Sequence, residues 1–351
     1  MSTALPAART ARLCVFLLLA IAGLFYVKWH PYYDRAFVAA AGHAIGHSIL
    51  MGDAASAPEP SWNAAIGYAL AYGKAIWQAM LLGLLLGSGI QALLPASWVR
   101  RVLGGSGMGG VVAGGLLALP GMMCTCCAAP VVVGMRRHRA AAGPALAFWL
   151  GNTVLNPATL VFTGFVLGWH WTVFRLCFGV PLVFGLGYLA SRMTARTDAP
   201  SAVDLPTAEP EPHSLAEVGQ RWAAIFGRMA LRLLPEYLVI VLLLGAFRAW
   251  MFPVIGPAIG DQWYWIAAMA LAGMLFVIPT AGEVPIVQAM LALGMGSGPA
   301  AALLLTLPPV SLPSLAMLAR SFPWRVLLAV AAAVVGCGLL GGAIAAWLAL
   351  R

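Results

Sequence analysis

The chain has 351 residues, 62% of them hydrophobic and only 9% charged, with a mean hydropathy of +0.91. A soluble protein of this length needs far more charge to cover its surface, so the composition excludes that class and points to a membrane protein surrounded by lipid. The net charge of +9 comes from bases scattered in short loops between apolar runs; that pattern is a topology signal, and no nucleic-acid partner is expected.

In chain order, Arg9 and Arg12 precede the apolar run Leu13–Val27. No small-residue cleavage site follows, since Lys28-Trp29-His30-Pro31 comes next, so an uncleaved signal anchor is expected. Residues 1–61 are read as this anchor plus a periplasmic segment with a helical stretch near Ala36–Met51. On that helix His43 and His47 stand at i and i+4, on one face, where two imidazoles could share a metal. The competing reading is a solvated amphipathic helix.

From Trp62 the chain reads as two copies of one unit, residues 62–191 and 218–351, joined by a cytoplasmic linker over 192–217. The linker holds Pro200, Pro206, Pro210 and Pro212 and five of the eleven acids. Each copy has four pieces. The first is a spanning helix ending at Pro95 or Pro253, in which Lys74, Gln78 and Gly87 match Arg232, Glu236 and Gly245. The second is a broken segment, about 109–138 or 264–294. The third is a helix interrupted at Asn156-Pro157 or Leu312-Pro313, and the fourth a closing helix, about 171–191 or 324–349. After the breaks the copies align without a gap: Pro130 falls on Pro285, Pro144 on Pro299, Asn156 on Ser311 and Thr159 on Ser314. Duplicated apolar segments interrupted by Gly and Pro at matching places point to a transporter's binding site.

The loop charges reverse between the copies. In the first, Arg100 and Arg101 precede the broken segment, Arg136, Arg137 and Arg139 follow it, and the loop before the closing helix has no base. In the second, Arg320 and Arg325 occupy that last loop and the other two are free of bases. By the positive-inside rule the copies are inverted, the N-terminus is cytoplasmic, and each broken segment is re-entrant. A kinked span with parallel repeats is the alternative. The fold class expected is therefore all-α, polytopic, with two homologous inverted repeats, in the inner membrane.

The first break reads Pro120-Gly-Met-Met-Cys124-Thr125-Cys126-Cys127-Ala-Ala-Pro130 and the second Pro279-Thr280-Ala-Gly-Glu283-Val-Pro285. Broken helix ends at membrane depth leave N–H and C=O groups free as ligands. If the tips meet, Cys124, Thr125, Cys126, Cys127, Asn152, Asn156, Thr280, Glu283 and Ser311 surround one cavity and form the candidate substrate site. Thiolates prefer soft species, and Cys124, Cys126 and Cys127 are the candidate metal ligands; small residues that let helices pack closely are the plainer reading. Glu283, an intramembrane acid, is a candidate cation ligand or proton-coupling group, or a cap for the broken helix. Glu236 stands four residues after Arg232, a spacing that suggests a local ion pair. Cys14, Cys177 and Cys337 sit singly in apolar runs and are read as packing residues.

The run Cys124-Thr-Cys126-Cys127-x-x-Pro130 with Asn152-x-x-x-Asn156-Pro157, and the second run Pro279-Thr-x-x-Glu283-x-Pro285 with Leu312-Pro313-Ser314-Leu315, resemble the predicted-permease family that includes the organoarsenical efflux permeases. The resemblance covers roughly residues 62–349. It implies outward transport of a thiophilic solute, a trivalent arsenical or soft metal ion, with no cofactor. No enzyme motif is present, and the absence of a phosphate-binding loop means the chain itself does not hydrolyse ATP. A membrane thiol–disulfide protein cycling Cys124, Cys126 and Cys127 is the second reading, and a scaffold for another complex the third.

Overall fold

The computed structural model describes residues 4–46, 48–50, 58–195, 215–252 and 259–350. They form helices and no strand. Helix α1 (Ala4–Leu24) runs through a π-helical turn (Phe25–Trp29) into α2 (His30–Gly42). Then come α3 (Trp62–Leu93), a short α4 (Ala96–Leu103), α5 (Met108–Ala118), α6 (Thr125–Arg137), α7 (Ala142–Val154), α8 (Pro157–Val166) and α9 (Trp169–Thr194). The second half holds α10 (Leu215–Met251), α11 (Trp263–Leu275), α12 (Glu283–Ala292), α13 (Ser297–Thr306), α14 (Leu312–Leu318) and α15 (Trp324–Leu348). Six stretches of the described residues are long and apolar enough to cross a bilayer: Thr10–Gly42, Trp62–Leu93, Ala142–Val166, Trp169–Thr194, Ala216–Met251 and Trp324–Leu348. The protein is a polytopic all-α membrane protein.

The helices break where the sequence repeat breaks. Between α5 and α6 the chain turns through Met122 at φ 47°, and between α11 and α12 through Ala281 at φ 66°. Each is the third residue of a run opening on a proline, Pro120 or Pro279. Left-handed backbone at a residue with a Cβ costs about 1–3 kcal/mol and persists only where the surroundings hold it. Between α7 and α8 the break is closed locally: Asn156 caps α8, its Oδ1 accepting from the N–H groups of Ala158 at 3.1 Å and Thr159 at 3.3 Å, with Pro157 at the first helical position. At the equivalent place Ser311 precedes α14, and the Ser314 hydroxyl reaches back to accept from the Ser311 N–H at 3.0 Å. The pairs aligned in sequence, Asn156/Ser311 and Thr159/Ser314, thus stand at the starts of α8 and α14.

Packing repeats as well. Helices α5, α7 and α9 pack on one another, as do α11, α13 and α15. Across the halves α8 meets α12 and α14 meets α6, while α3 lies along α10. The contact of α3 with α6 is backbone against backbone. A Cβ at Gly83 would stand 2.1 Å from the Cys127 carbonyl oxygen, and one at Gly87 2.2 Å from that of Pro130. In lipid, where apolar burial gives helices no drive to associate, such close approach through small residues is what holds them. Large apolar side chains such as Leu231, Trp250, Leu340 and Trp347 point outward.

The N-terminal segment differs from expectation. Its helix does not continue over Ala36–Met51 but ends at Gly42, where His43 turns left-handed at φ 48°. The segment packs on the rest of the chain. Helix α1 packs on α3 and α2 on α8, and the Trp29 indole donates to the Pro120 carbonyl at 2.7 Å, on the first break itself.

Candidate functional site

The site grows from the two broken segments. Cys124 is the N-cap of α6 and Thr125 its first residue. Trp149 on α7 holds this end by donating to the Thr125 carbonyl at 3.0 Å. Asn152 braces the turn before it, accepting from the Met123 N–H at 3.4 Å and donating to the Phe148 carbonyl at 2.9 Å. Gly121 leaves room for this contact, because a Cβ there would sit 2.1 Å from Asn152 Oδ1 and push the amide aside. On the other side, the carbonyls left free at the end of α11 are met by α3: the Tyr68 hydroxyl donates to Val277 and the Tyr72 hydroxyl, at 3.5 Å, to Ile278.

The two breaks meet. Cys124, Thr125, Thr280 and Glu283 line one interior pocket of about 10 Å³, with Thr153 and Thr159; that is room for about one water. Thr125 Oγ1 lies 3.1 Å from Ser311 Oγ. Of the residues expected around one cavity, these four therefore converge, joined by Ser311 from the start of α14. Asn152 and Asn156 are buried and engaged with backbone. The Asn156 Nδ2 group has no partner among the described residues.

The three thiols do not converge. Cys124 and Cys127 lie with their sulfurs 2.8 Å apart, whereas Cys126 is turned towards Ser311 Oγ, at 3.6 Å. Among the described residues no group of three His, Cys, Asp or Glu side chains is placed to hold a metal. The His43–His47 pairing also has no helix to carry it. His43 lies beyond α2, its Nδ1 2.8 Å from the Phe165 carbonyl oxygen, and its own carbonyl accepts from Gln288 at 2.7 Å; His47 lies outside the described residues.

Glu283 has a partner that sequence reasoning missed. Arg175, on α9, places Nη1 2.7 Å from Glu283 Oε1, with side chains 1% and 3% exposed. The same guanidinium donates through Nη2 to the Thr153 carbonyl at 2.8 Å and through Nε to that of Val154 at 3.3 Å. Three functions are joined at one group. The orphan carbonyls ending α7 are satisfied, the acid is neutralised, and the acid sits in the first turn of α12, where the helix dipole favours negative charge. The signal was available, because a lone arginine inside an apolar spanning run calls for a buried acid. Glu236 likewise pairs not with Arg232 but with Arg320, at 2.6 Å on the surface.

A second cation enters from the N-terminal segment. Lys28, in the π-helical turn, donates to Tyr32 Oη at 3.2 Å and to Thr280 Oγ1 at 3.1 Å. It had been read only as the residue that ends the first apolar run.

A sequence profile described as a predicted permease matches residues 74–346. The chain is 49% identical over 334 residues to the UPF0718 protein YraQ of Escherichia coli (strain K12), covering 94% of each. No solved structure matches. With a profile spanning most of its length and a full-length relative at that identity, the chain belongs to the predicted-permease family.

Proposed function

We propose that this permease moves a thiophilic solute across the inner membrane through the place where its two broken segments meet. The observation that carries the reading is the shared pocket of Cys124, Thr125, Thr280 and Glu283, drawn from two segments far apart in sequence. Broken backbone at membrane depth is tolerated where it lines such a cavity, and the adjacent sulfurs of Cys124 and Cys127 offer a soft, two-thiol contact. The outward direction follows from the resemblance to efflux permeases. With Cys124, Cys126 and Cys127 replaced by Ser, flux of a trivalent arsenical into proteoliposomes should fall to the level of empty vesicles while the protein still inserts; replacing Cys14, Cys177 and Cys337 should leave flux unchanged. Equal loss in both sets would contradict a specific thiol site.

The same proximity of Cys124 and Cys127 favours one other reading, a thiol–disulfide carrier, since a C-x-x-C pair at a helix start is the arrangement such proteins use. Thiol trapping before and after oxidant separates the two. A pair that stays reduced during turnover belongs to a permease.

We further propose that the halves are inverted copies, with the N-terminus and linker cytoplasmic. The contacts that support this join unlike ends. Arg136, after the first broken segment, donates to the Ser321 carbonyl at 3.2 Å, before the closing helix of the second half. Reciprocally, Gln288 on α12 and Phe165 near the end of α8 both bond His43. Reporters fused at residue 205 and after the C-terminus should report opposite sides of the membrane; the same side for both would exclude inversion.

A further inference from the structure

Lys28 brings a positive charge to the meeting point of the breaks, and no carboxylate among the described residues is paired with it. The side chain is 4% exposed, and both of its hydrogen-bond partners, Tyr32 and Thr280, are neutral hydroxyls. An ammonium has three donors, so one is left over. A buried cation without a counter-charge is costly, by several kcal/mol in ordinary proteins. Arg175 shows how this chain solves that problem elsewhere, with a carboxylate at 2.7 Å. At Lys28 no carboxylate among the described residues does the same.

What Lys28 faces is a cavity of about 480 Å³. Its lining includes Lys28, Arg35, Ser48, Gln78, Thr280 and Cys124, and no carboxylate among the described residues. Arg35 is exposed and has no ion pair among the described residues, while its neighbour Asp34 is engaged by His30 at 3.4 Å. Ser48 supplies an independent sign of a missing ligand. It is 7% exposed, it lines this cavity, and its hydroxyl has no partner among the described residues. Two cations, an unfilled hydroxyl and a thiol therefore surround a space many times the roughly 30 Å³ share of one water. A bare metal cation would meet only repulsion from Lys28 and Arg35 there.

We propose that this cavity is a subsite for an anionic group, a carboxylate or an oxyanion, held by Lys28 and Arg35 with Ser48 beside the Cys124 thiol. The proposal rests on the transport reading above and names the charge of the solute. The permease takes a thiophilic anion and discriminates against free soft cations. Lys28 acts as the fixed charge at the inner end and Arg35 as the charge at the mouth.

The test uses the charge of small thiol reagents and does not depend on knowing the solute. In the full-length protein with Cys124 kept and the other five cysteines replaced by Ser, the modification rate of Cys124 is measured in membrane vesicles. The reagents are a sulfonate-bearing and a trimethylammonium-bearing methanethiosulfonate of similar size, each normalised to its rate with a free thiol. Clefts lined by one sign of charge raise encounter rates about tenfold or more at low salt. The anionic reagent should gain by about that factor, and its advantage should shrink as salt is added. Lys28→Gln should abolish the preference. Arg35→Gln, a surface change that leaves the fold intact, should reduce it. Equal normalised rates, a preference for the cation, no modification of Cys124 by either reagent, or a preference untouched by both substitutions would each overturn the proposal. A clear anionic preference in a protein that moves no thiophilic solute would leave the subsite standing and refute the transport reading; flux without the preference would do the reverse.

Discussion

Replacing Arg175 by Met should destabilise the protein by about 3–5 kcal/mol, the cost of leaving one member of a buried pair uncompensated. Glu283 would be left with no guanidinium at 2.7 Å, and the carbonyls of Thr153 and Val154 would lose their donors. Glu283→Gln leaves the guanidinium without its counter-charge, but should cost less, because the amide oxygen and the carbonyls of Thr153 and Val154 still accept from Arg175. The double variant Arg175→Met/Glu283→Leu should recover much of the loss, since apolar side chains of similar volume often replace a buried pair at little cost. Thermal unfolding in detergent gives the ranking directly. Flux through the double variant then decides what the pair is for. Full activity would make it a structural clamp between α9, α7 and α12. A folded but inactive protein would place its breaking and re-forming in the transport cycle, where a proton taken up by Glu283 would release Arg175. Wild-type stability in Arg175→Met alone would show that the pair contributes nothing.

Gly83→Ala should be nearly as damaging for a reason unrelated to charge. The added methyl has to occupy a point 2.1 Å from the Cys127 carbonyl oxygen, and that neighbour is backbone, so α6 must move. Overpacking of this kind costs about 1–3 kcal/mol or more, and it displaces the helix that carries Cys124 and Cys127. Gly87→Ala should behave alike, against Pro130. Gly73 is the internal control. It lies on the same helix with nothing within 4 Å of the added atom, so Gly73→Ala should be neutral or stabilising by up to about 1 kcal/mol. Unfolding midpoints and expression levels of the three variants, measured side by side, test this. Equal behaviour of Gly73→Ala and Gly83→Ala would mean that α3 and α6 are not in backbone contact.

The breaks were legible in the sequence because their signals are local. Proline removes a donor and fixes φ wherever it stands, so Pro120, Pro130, Pro279 and Pro285 announce interrupted helices without reference to any partner. The cap positions Asn156 and Ser311 are visible for the same reason, as polar residues just ahead of Pro157 and Pro313, at the starts of α8 and α14. The ion pairs were not legible. Spacing in sequence shows only neighbours on one helix, which is why Glu236 was matched with Arg232 and not with Arg320. Arg175 and Lys28 were overlooked because the apolar runs around them were read as spans, and a single base in a long apolar helix changes its average hydropathy little.

The long-range reach of the two buried cations bears on how the protein is made. Lys28 bonds Thr280, 252 residues further along, and Arg175 bonds Glu283, 108 residues further along. The first half must therefore enter the bilayer carrying charges whose partners have not yet been synthesised, each at a cost of about 2.5 kcal/mol or more while unpaired near the centre of a helix. During that interval α9 packs on α5 and α7, and α1 on α3, but Arg175 and Lys28 reach these partners only when the segment Thr280–Glu283 arrives. Assembly of this permease is then expected to be completed from its C-terminal half, since residues 62–191, although they carry all three clustered cysteines, lack the partners of two buried cations on their own.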